Sequence, residues 1–296
     1  MHQPVQTVLS SEFIHAHVDT LPLIPGVLDQ LKRLSHESVD FYPRIAKLTQ
    51  LDPLLAAKII STAHTVPCGP LKPVYNIEKA LQRIGVFNTL DLMSALTEPR
   101  ATLITSAHHS GWLHSIETAV FSRFLAANIE AFKVNRDLAY IAGLLHDIGR
   151  FILLQVSLSA GQSAATLCWR AADESLAIEQ YGFSHIDIGY QAAQYWHFPR
   201  TLTNMLRFHQ HNDLWAFNTI SEPFKQLLTM LQFASSLSDL LMDNPEWPAW
   251  STTQLQGAIA AACIHPSWPI IDFPIARLSQ QLPALSEQCQ RLLMKR

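Results

Sequence analysis

The sequence predicts an all-α protein. Only 10 of its 296 residues are glycine, and runs of alternating β-branched and polar residues are few. Apolar residues instead recur at intervals of three and four along most of the chain, which is the spacing that buries one face of an α-helix. We therefore expect helices joined by short turns.

The composition indicates a compact globular protein. Hydrophobic residues make up 48% of the chain and charged residues only 15%, which is atypical of disordered chains. The net charge of −3 argues against a nucleic-acid-binding protein. Apolar runs such as residues 258–264 are far shorter than the roughly 20 residues that span a bilayer, and the N-terminus lacks the features of a signal peptide. We expect a cytoplasmic protein that acts without nucleic-acid or membrane partners.

The first helices are predicted from proline and capping signals. Residues 21–25, Leu-Pro-Leu-Ile-Pro, are expected to be extended because proline fixes φ, and an amphipathic helix follows over residues 26–34. A second helix is predicted at residues 43–49, with proline in its first turn. Asp52 followed by Pro53 combines an N-cap with a first-turn proline, so the third helix begins there.

A fourth helix has a clear beginning and end. Asn76 is a favoured N-cap residue, and apolar residues recur at helical spacing over residues 76–84. Gly85 ends this helix, because glycine readily adopts the positive φ of a helix C-terminus. Another helix is predicted to begin at residues 89–96.

A linker and a long helix follow. Residues 99–110 are predicted to form the linker, with His108 and His109 as loop residues. The apolar spacing then predicts a long helix over residues 112–131, which places His114 in its first turn.

The most informative stretch is residues 144–150, Leu-Leu-His-Asp-Ile-Gly-Arg. Its helical apolar spacing predicts a core helix with His146 and Asp147 in the last turn and Gly149 as the C-cap. Arg150 follows as a cation near the negative end of the helix dipole. Neutral imidazole nitrogen and anionic carboxylate oxygen are both ligands of divalent cations. A buried His-Asp pair also commonly satisfies backbone groups, so the pair alone favours a structural role.

His114 can be brought opposite this pair by two antiparallel helices. The residues between them form two helical segments with a short turn at residues 133–136. A histidine near the start of one helix then faces the His-Asp pair near the end of the next. A shared cation site requires this geometry.

The second half of the chain contains further helices and histidines. A helix is predicted to begin near His185, and His209 follows a short apolar segment. A strong helical pattern covers residues 226–241, and a tract rich in proline and tryptophan at residues 243–250 breaks it. Amphipathic helices are expected at residues 253–264 and 275–293.

Taken together, these motifs resemble the HDOD (HD-related output domain) family, a degenerate relative of HD and HD-GYP metal-dependent phosphohydrolases. The resemblance is carried by Leu21-Pro22-Leu23-Ile24-Pro25, Asp52-Pro53, Ala63-His64-Thr65, Trp112-Leu113-His114-Ser115, the segment 143–149, Glu179-x-x-Gly182-x-x-His185-x-x-x-Gly189, Trp196-x-x-Pro199 and His209. It implies an HD-like helical bundle at residues 101–241 with an N-terminal helical part at residues 21–100, together one HDOD domain at residues 21–241. Residues 1–20 then precede the domain, and residues 242–296 form a C-terminal helical extension that covers the bundle or forms a dimer face.

The resemblance also implies a ligand set. In catalytic HD proteins the metal ligands are a histidine, the His-Asp pair and a later aspartate, which match His114, His146, Asp147 and Ser235 here. The last position therefore carries a hydroxyl instead of a carboxylate. Asp239 lies one helical turn further on and could substitute only if the helix shifted by a turn.

Further ligands of the two-metal relatives are only partly kept. Their positions match His185 and a His-His pair, which reads His209-Gln210 in this chain. The GYP signature is absent after Gly149. Arg150 and Arg207 are candidates for binding phosphate, since guanidinium forks bind phosphate well, although salt bridges or helix-end contacts are the simpler interpretation.

Three functions remain open at this point. The first is a bacterial regulatory protein that binds signalling proteins or a nucleotide-like ligand through the degenerate pocket and requires no cofactor. The second is a phosphohydrolase acting on a nucleotide or phosphodiester, with a divalent metal such as Mn, Fe, Ni or Mg. The third is a sensor that binds a nucleotide without cleaving it. A homodimer is compatible with each of them.

Overall fold

The computed structural model describes residues 16–18, 20–65, 72–98, 103–159, 161, 178 and 182–294. Helix is the regular secondary structure of this part of the chain, and it contains no strand. The predicted all-α fold is confirmed. Glu179, one of the family-like positions, lies outside the described residues.

The chain divides into two compact units that alternate along the sequence. Unit 1 comprises Met1–Trp112 and Leu145–Arg207 together with Arg296, and unit 2 comprises Leu113–Leu144 and Phe208–Lys295. This division does not test the predicted domain boundaries at residues 100 and 241, which stay predictions.

After the helical residues 16–18, unit 1 has four helices whose starts lie within two residues of the predicted ones. They are α1 (Pro25–Lys32), α2 (Phe41–Thr49), α3 (Pro53–Thr65) and α4 (Ile77–Thr97). Asn76 caps α4, since its side chain accepts a hydrogen bond from Lys79 N at 3.0 Å. Gly85 has φ 76° and breaks α4 into two helical halves, as predicted.

Asp52 ties the extended segment before α1 to the start of α3. One carboxylate oxygen accepts a hydrogen bond from Leu55 N at 2.9 Å, and the other accepts one from Ile24 N at 2.6 Å. Burial raises the pKa of Asp52 to about 6, although these backbone N–H groups favour the charged form. Asp52 therefore caps α3 and also joins α3 to a segment that is distant in sequence.

Replacing Asp52 with alanine should lower the free energy of unfolding by about 3 kcal/mol, because two buried N–H groups lose their acceptor. Asp52→Asn keeps one acceptor oxygen and should cost about 1 kcal/mol. Urea unfolding measures both. Asp40→Ala is the control, since Asp40 precedes α2 without a side-chain cap bond and should change stability by less than about 0.5 kcal/mol. Equal effects at positions 40 and 52 would contradict the assignment.

The long helix α5 (Ser106–Asn128) begins earlier than predicted. His108 and His109 lie in its first turn, so the prediction that they are loop residues is wrong. The reason is a local cap: His108 Nδ1 accepts a hydrogen bond from Thr105 N at 3.2 Å. His114 consequently lies two turns into the helix instead of in its first turn.

His146 and Asp147 form the turn between α6 (Arg136–Leu145) and α7 (Ile148–Ser159). The prediction that Gly149 is a C-cap is wrong, since Gly149 is the second residue of α7 and does not have positive φ.

The segment Arg136–Ser159 is long and apolar enough to cross a membrane, judged by length and composition alone. Of its most apolar 18 residues, 83% are buried inside the protein.

Two more helices of unit 1 lie within the residues that the structure describes. They are α8 (His185–Tyr195), which packs on α7, and α9 (Arg200–Phe208), whose last residue belongs to unit 2. Ser184 caps α8 in a capping box with Asp187, in which each side chain accepts a hydrogen bond from the backbone N–H of the other residue. The predicted helix start at His185 is confirmed.

Unit 2 has one apolar core to which the C-terminal residues contribute. Its remaining α-helices are α10 (Glu222–Asp243), α11 (Thr252–Cys263) and α12 (Ile275–Met294). The core contains Phe121 and Leu125 of α5, Phe233 of α10, Ile259 of α11 and Leu278 of α12. Helices α11 and α12 of the C-terminal extension thus share this core with α5 and α10. The two predicted roles of the extension, covering the bundle or forming a dimer face, stay predictions.

Candidate functional site

Unit 1 brings three of the predicted site residues together. His146, Asp147 and His185 are all buried. Asp147 lies between the two imidazoles, with Oδ2 3.5 Å from His146 Nε2 and Oδ1 3.5 Å from His185 Nε2. A single carboxylate therefore faces a histidine from its own turn and a histidine from the start of α8.

A glycine allows this arrangement. A Cβ atom at Gly149 would lie 1.9 Å from the carbonyl oxygen of His185 and 2.8 Å from Gly189 N. Because Gly149 has no side chain, the first turns of α7 and α8 come into backbone contact next to Asp147. A glycine is therefore required at position 149 for the close packing of two helices, and not for the end of a helix.

Arg150 neutralises part of the charge of Asp147. Its Nε donates a hydrogen bond to Asp147 Oδ2 at 2.9 Å, and both side chains are largely buried. A salt bridge was the simpler interpretation of Arg150, and the structure shows one. Arg207 is exposed, and its guanidinium lies 5.0 Å from the ring centroid of Tyr190. Phosphate binding by either arginine stays a prediction.

The buried His/Asp cluster could hold a metal ion. His146 and Asp147 offer ligand atoms within 4.8 Å of each other, and so do Asp147 and His185. Neutral nitrogen combined with anionic oxygen suits borderline ions such as Mn²⁺, Fe²⁺ and Ni²⁺. Arg150 is bound to Oδ2, whereas Oδ1 faces His185.

In unit 2 the predicted first ligand, His114, has polar groups on both ring nitrogens. Nδ1 is 3.1 Å from Ser238 Oγ and 3.5 Å from Asp239 Oδ1, whereas Nε2 is 3.4 Å from Ser235 Oγ. Position 235 therefore faces His114, as the family resemblance implies, and offers it a hydroxyl. Asp239 lies near Nδ1, whereas Ser235 lies near Nε2, so Asp239 does not take the place of the missing carboxylate.

Glu117 is a functional candidate that the sequence reasoning missed. It lies one turn after His114 and is buried, and it accepts hydrogen bonds from Ser238 Oγ at 2.8 Å and from Ser286 Oγ at 3.4 Å. Because Ser238 donates to Glu117, its oxygen is oriented to accept a hydrogen bond from His114 Nδ1. Burial raises the pKa of Glu117 to about 7. An acidic residue on the buried face of a predicted helix was the available signal.

His209 belongs to unit 2 and is buried directly after α9. Its ligand role, like that of His114, His146, Asp147 and His185, stays a prediction.

The chain belongs to the HDOD domain family. Residues 21–212 match the HDOD domain, which covers most of unit 1 and the first part of unit 2. The matched residues include the buried turn of His146 and Asp147 and helices α1 to α9.

Solved structures show the same fold. The MmoQ response regulator from Methylococcus capsulatus has 20% sequence identity and a TM-score of 0.67, over 88% of this chain and 98% of that chain. A virulence factor from Campylobacter jejuni has 16% identity and a TM-score of 0.64, over 94% of this chain and 96% of that one. The HD-like architecture implied by the resemblance is confirmed.

A curated relative is longer than this chain. An uncharacterized protein from Treponema pallidum (strain Nichols) is 24% identical over 238 residues, which are 78% of this chain. The match spans 44% of that relative, so the chain covers less than half of its length.

Proposed function

We propose that this HDOD protein is a regulatory component of bacterial signal transduction, which binds a signalling protein or a nucleotide-like ligand and does not hydrolyse phosphoesters. The observation that carries the proposal is Ser235, whose hydroxyl faces His114 where catalytic HD relatives have a carboxylate ligand. The similarity in fold to a response regulator agrees with a signalling role.

The physical reason is the number of anionic ligands. Metal-activated hydrolysis requires a tightly held cation that lowers the pKa of a bound water. Without a carboxylate at position 235, the family ligand set keeps Asp147 as its one anionic residue, and Arg150 already binds one of its oxygens. Neutral imidazoles alone neutralise none of the charge of a divalent cation. We therefore expect weak binding of ions that prefer oxygen ligands, such as Mn²⁺.

Elemental analysis tests this proposal. We expect chelator-treated protein, reloaded with Mn²⁺ or Ni²⁺ and then desalted, to retain well below about one equivalent of metal. The His146→Ala/Asp147→Ala double variant is the reference for nonspecific binding, and the wild type should not exceed it. One retained equivalent in the wild type that the double variant loses would overturn the proposal.

A metal-dependent phosphohydrolase is the second candidate. It is favoured by one observation, the buried carboxylate of Asp147 between the imidazoles of His146 and His185. A bound metal would supply Lewis-acid activation of a phosphoryl oxygen. Turnover of bis(p-nitrophenyl) phosphate with added Mn²⁺, lost in Asp147→Asn and unchanged in the exposed control Asp91→Asn, would establish it.

A further inference from the structure

A cavity in the N-terminal part of unit 1 lies beside two motifs that are not part of the HD-type residues, the segment Leu21-Pro22-Leu23-Ile24-Pro25 and the helix start at Asp52-Pro53. It has a volume of about 140 Å³ and lies between the extended Leu-Pro-Leu-Ile-Pro segment, the start of α3 and the end of α4. Leu21, Leu23, Leu54 and Leu96 form a buried apolar floor.

The walls of this cavity are preformed. Pro22 fixes φ in the extended segment and Pro25 fixes it at the start of α1. Asp52, directly before α3, accepts a hydrogen bond from Ile24 N at 2.6 Å. Rigid walls reduce the entropy that is lost when a ligand binds. The cavity thus exists before any ligand arrives.

The rim of the cavity carries two negative charges. Asp29 of α1 and Glu98 at the end of α4 both line it, and both are exposed. Neither forms a salt bridge with any residue in the described ranges. An apolar floor below two carboxylates is complementary to an apolar group that bears a positive charge.

We infer that this cavity is a binding site for a small amine with one aromatic ring or branched alkyl group, whose ammonium group lies between Asp29 and Glu98. The size supports one ring, since a cavity of about 150 Å³ in another protein holds benzene. This site is separate from the HD-type residues, and the inference does not rest on the proposed function.

The test compares matched probes by calorimetry and by NMR shift mapping on the full chain. Phenethylamine should bind about 5 to 10 times more tightly than neutral phenethyl alcohol at low salt, and anionic hydrocinnamate should bind more weakly than the alcohol. The Asp29→Asn/Glu98→Gln variant should remove the preference for the amine. Asp91→Asn is the control, since Asp91 is an exposed carboxylate of α4 that does not line the cavity.

A second variant tests the location. Leu28→Trp fills the cavity and should abolish binding of both the amine and the alcohol. The inference is overturned if no probe binds, if the alcohol binds as tightly as the amine, or if the charge-neutral variant keeps the preference. Binding that persists in a folded Leu28→Trp protein would also overturn it, and the carboxylate variants decide the question if that protein does not fold.

Discussion

Gly149→Ala is expected to lower the free energy of unfolding by about 3 kcal/mol or more. The new Cβ would lie 1.9 Å from His185 O, 2.8 Å from Gly189 N and 2.9 Å from His185 C. These are backbone atoms, so no side-chain rotation relieves the clash. The first turns of α7 and α8 must separate, and His185 must then move away from Asp147.

Gly257→Ala is the matched control for this substitution. Gly257 also lies inside a helix, α11, but a Cβ there meets nothing within 4 Å. Alanine favours helix over glycine, so this variant should gain about 0.5 to 1 kcal/mol. Urea unfolding compares the two variants. If Gly149→Ala is as stable as the wild type and His185 keeps its chemical shifts, the proposed packing role of Gly149 is wrong.

Glu117→Gln is expected to remove a large pH dependence of stability. The folded-state pKa of Glu117 is about 7, above the ordinary value of 4.5, because burial disfavours the charged carboxylate. The stability that the protonated group contributes is fully present below about pH 4.5 and is lost as the pH rises through about 7. The wild type should therefore lose about 3 kcal/mol from this group between pH 4.5 and pH 8.

Glutamine stays neutral over this range and should lack the loss. The difference between wild type and Glu117→Gln should thus shift by about 3 kcal/mol in favour of glutamine from pH 4.5 to pH 8, as measured by urea unfolding. Glu287→Gln is the control, since Glu287 is an exposed residue of α12 paired with Arg291. Parallel pH curves for wild type and Glu117→Gln would show that Glu117 is ionised at little cost in the folded protein.

Local signals in the sequence predicted the helices well. Asp52-Pro53, Asn76 and Gly85 each start or end a helix through neighbours a few residues away, as predicted. The second bond of Asp52, from Ile24 N, joins segments that are distant in sequence and was not predicted. The start of α5 was missed because the imidazole of His108 accepts the hydrogen bond from the N-cap N–H that a glutamate or glutamine at this position usually accepts.

Contacts between distant parts of the chain could not be predicted in the same way. The role of Gly149 depends on the backbone of His185, and the hydrogen bonds of Glu117 come from Ser238 and Ser286. No spacing rule links these positions. The family resemblance did predict that position 235 faces His114, because it carried information about the fold.

The most direct test of the regulatory proposal is to restore the missing carboxylate. We would titrate Mn²⁺ into metal-free wild type, Ser235→Asp and the neighbouring control Ser236→Asp, and measure binding by calorimetry. The account predicts weak binding to the wild type and to Ser236→Asp, and an affinity about tenfold or more higher for Ser235→Asp. Tight binding of one Mn²⁺ by the wild type, with no gain from Ser235→Asp, would contradict it.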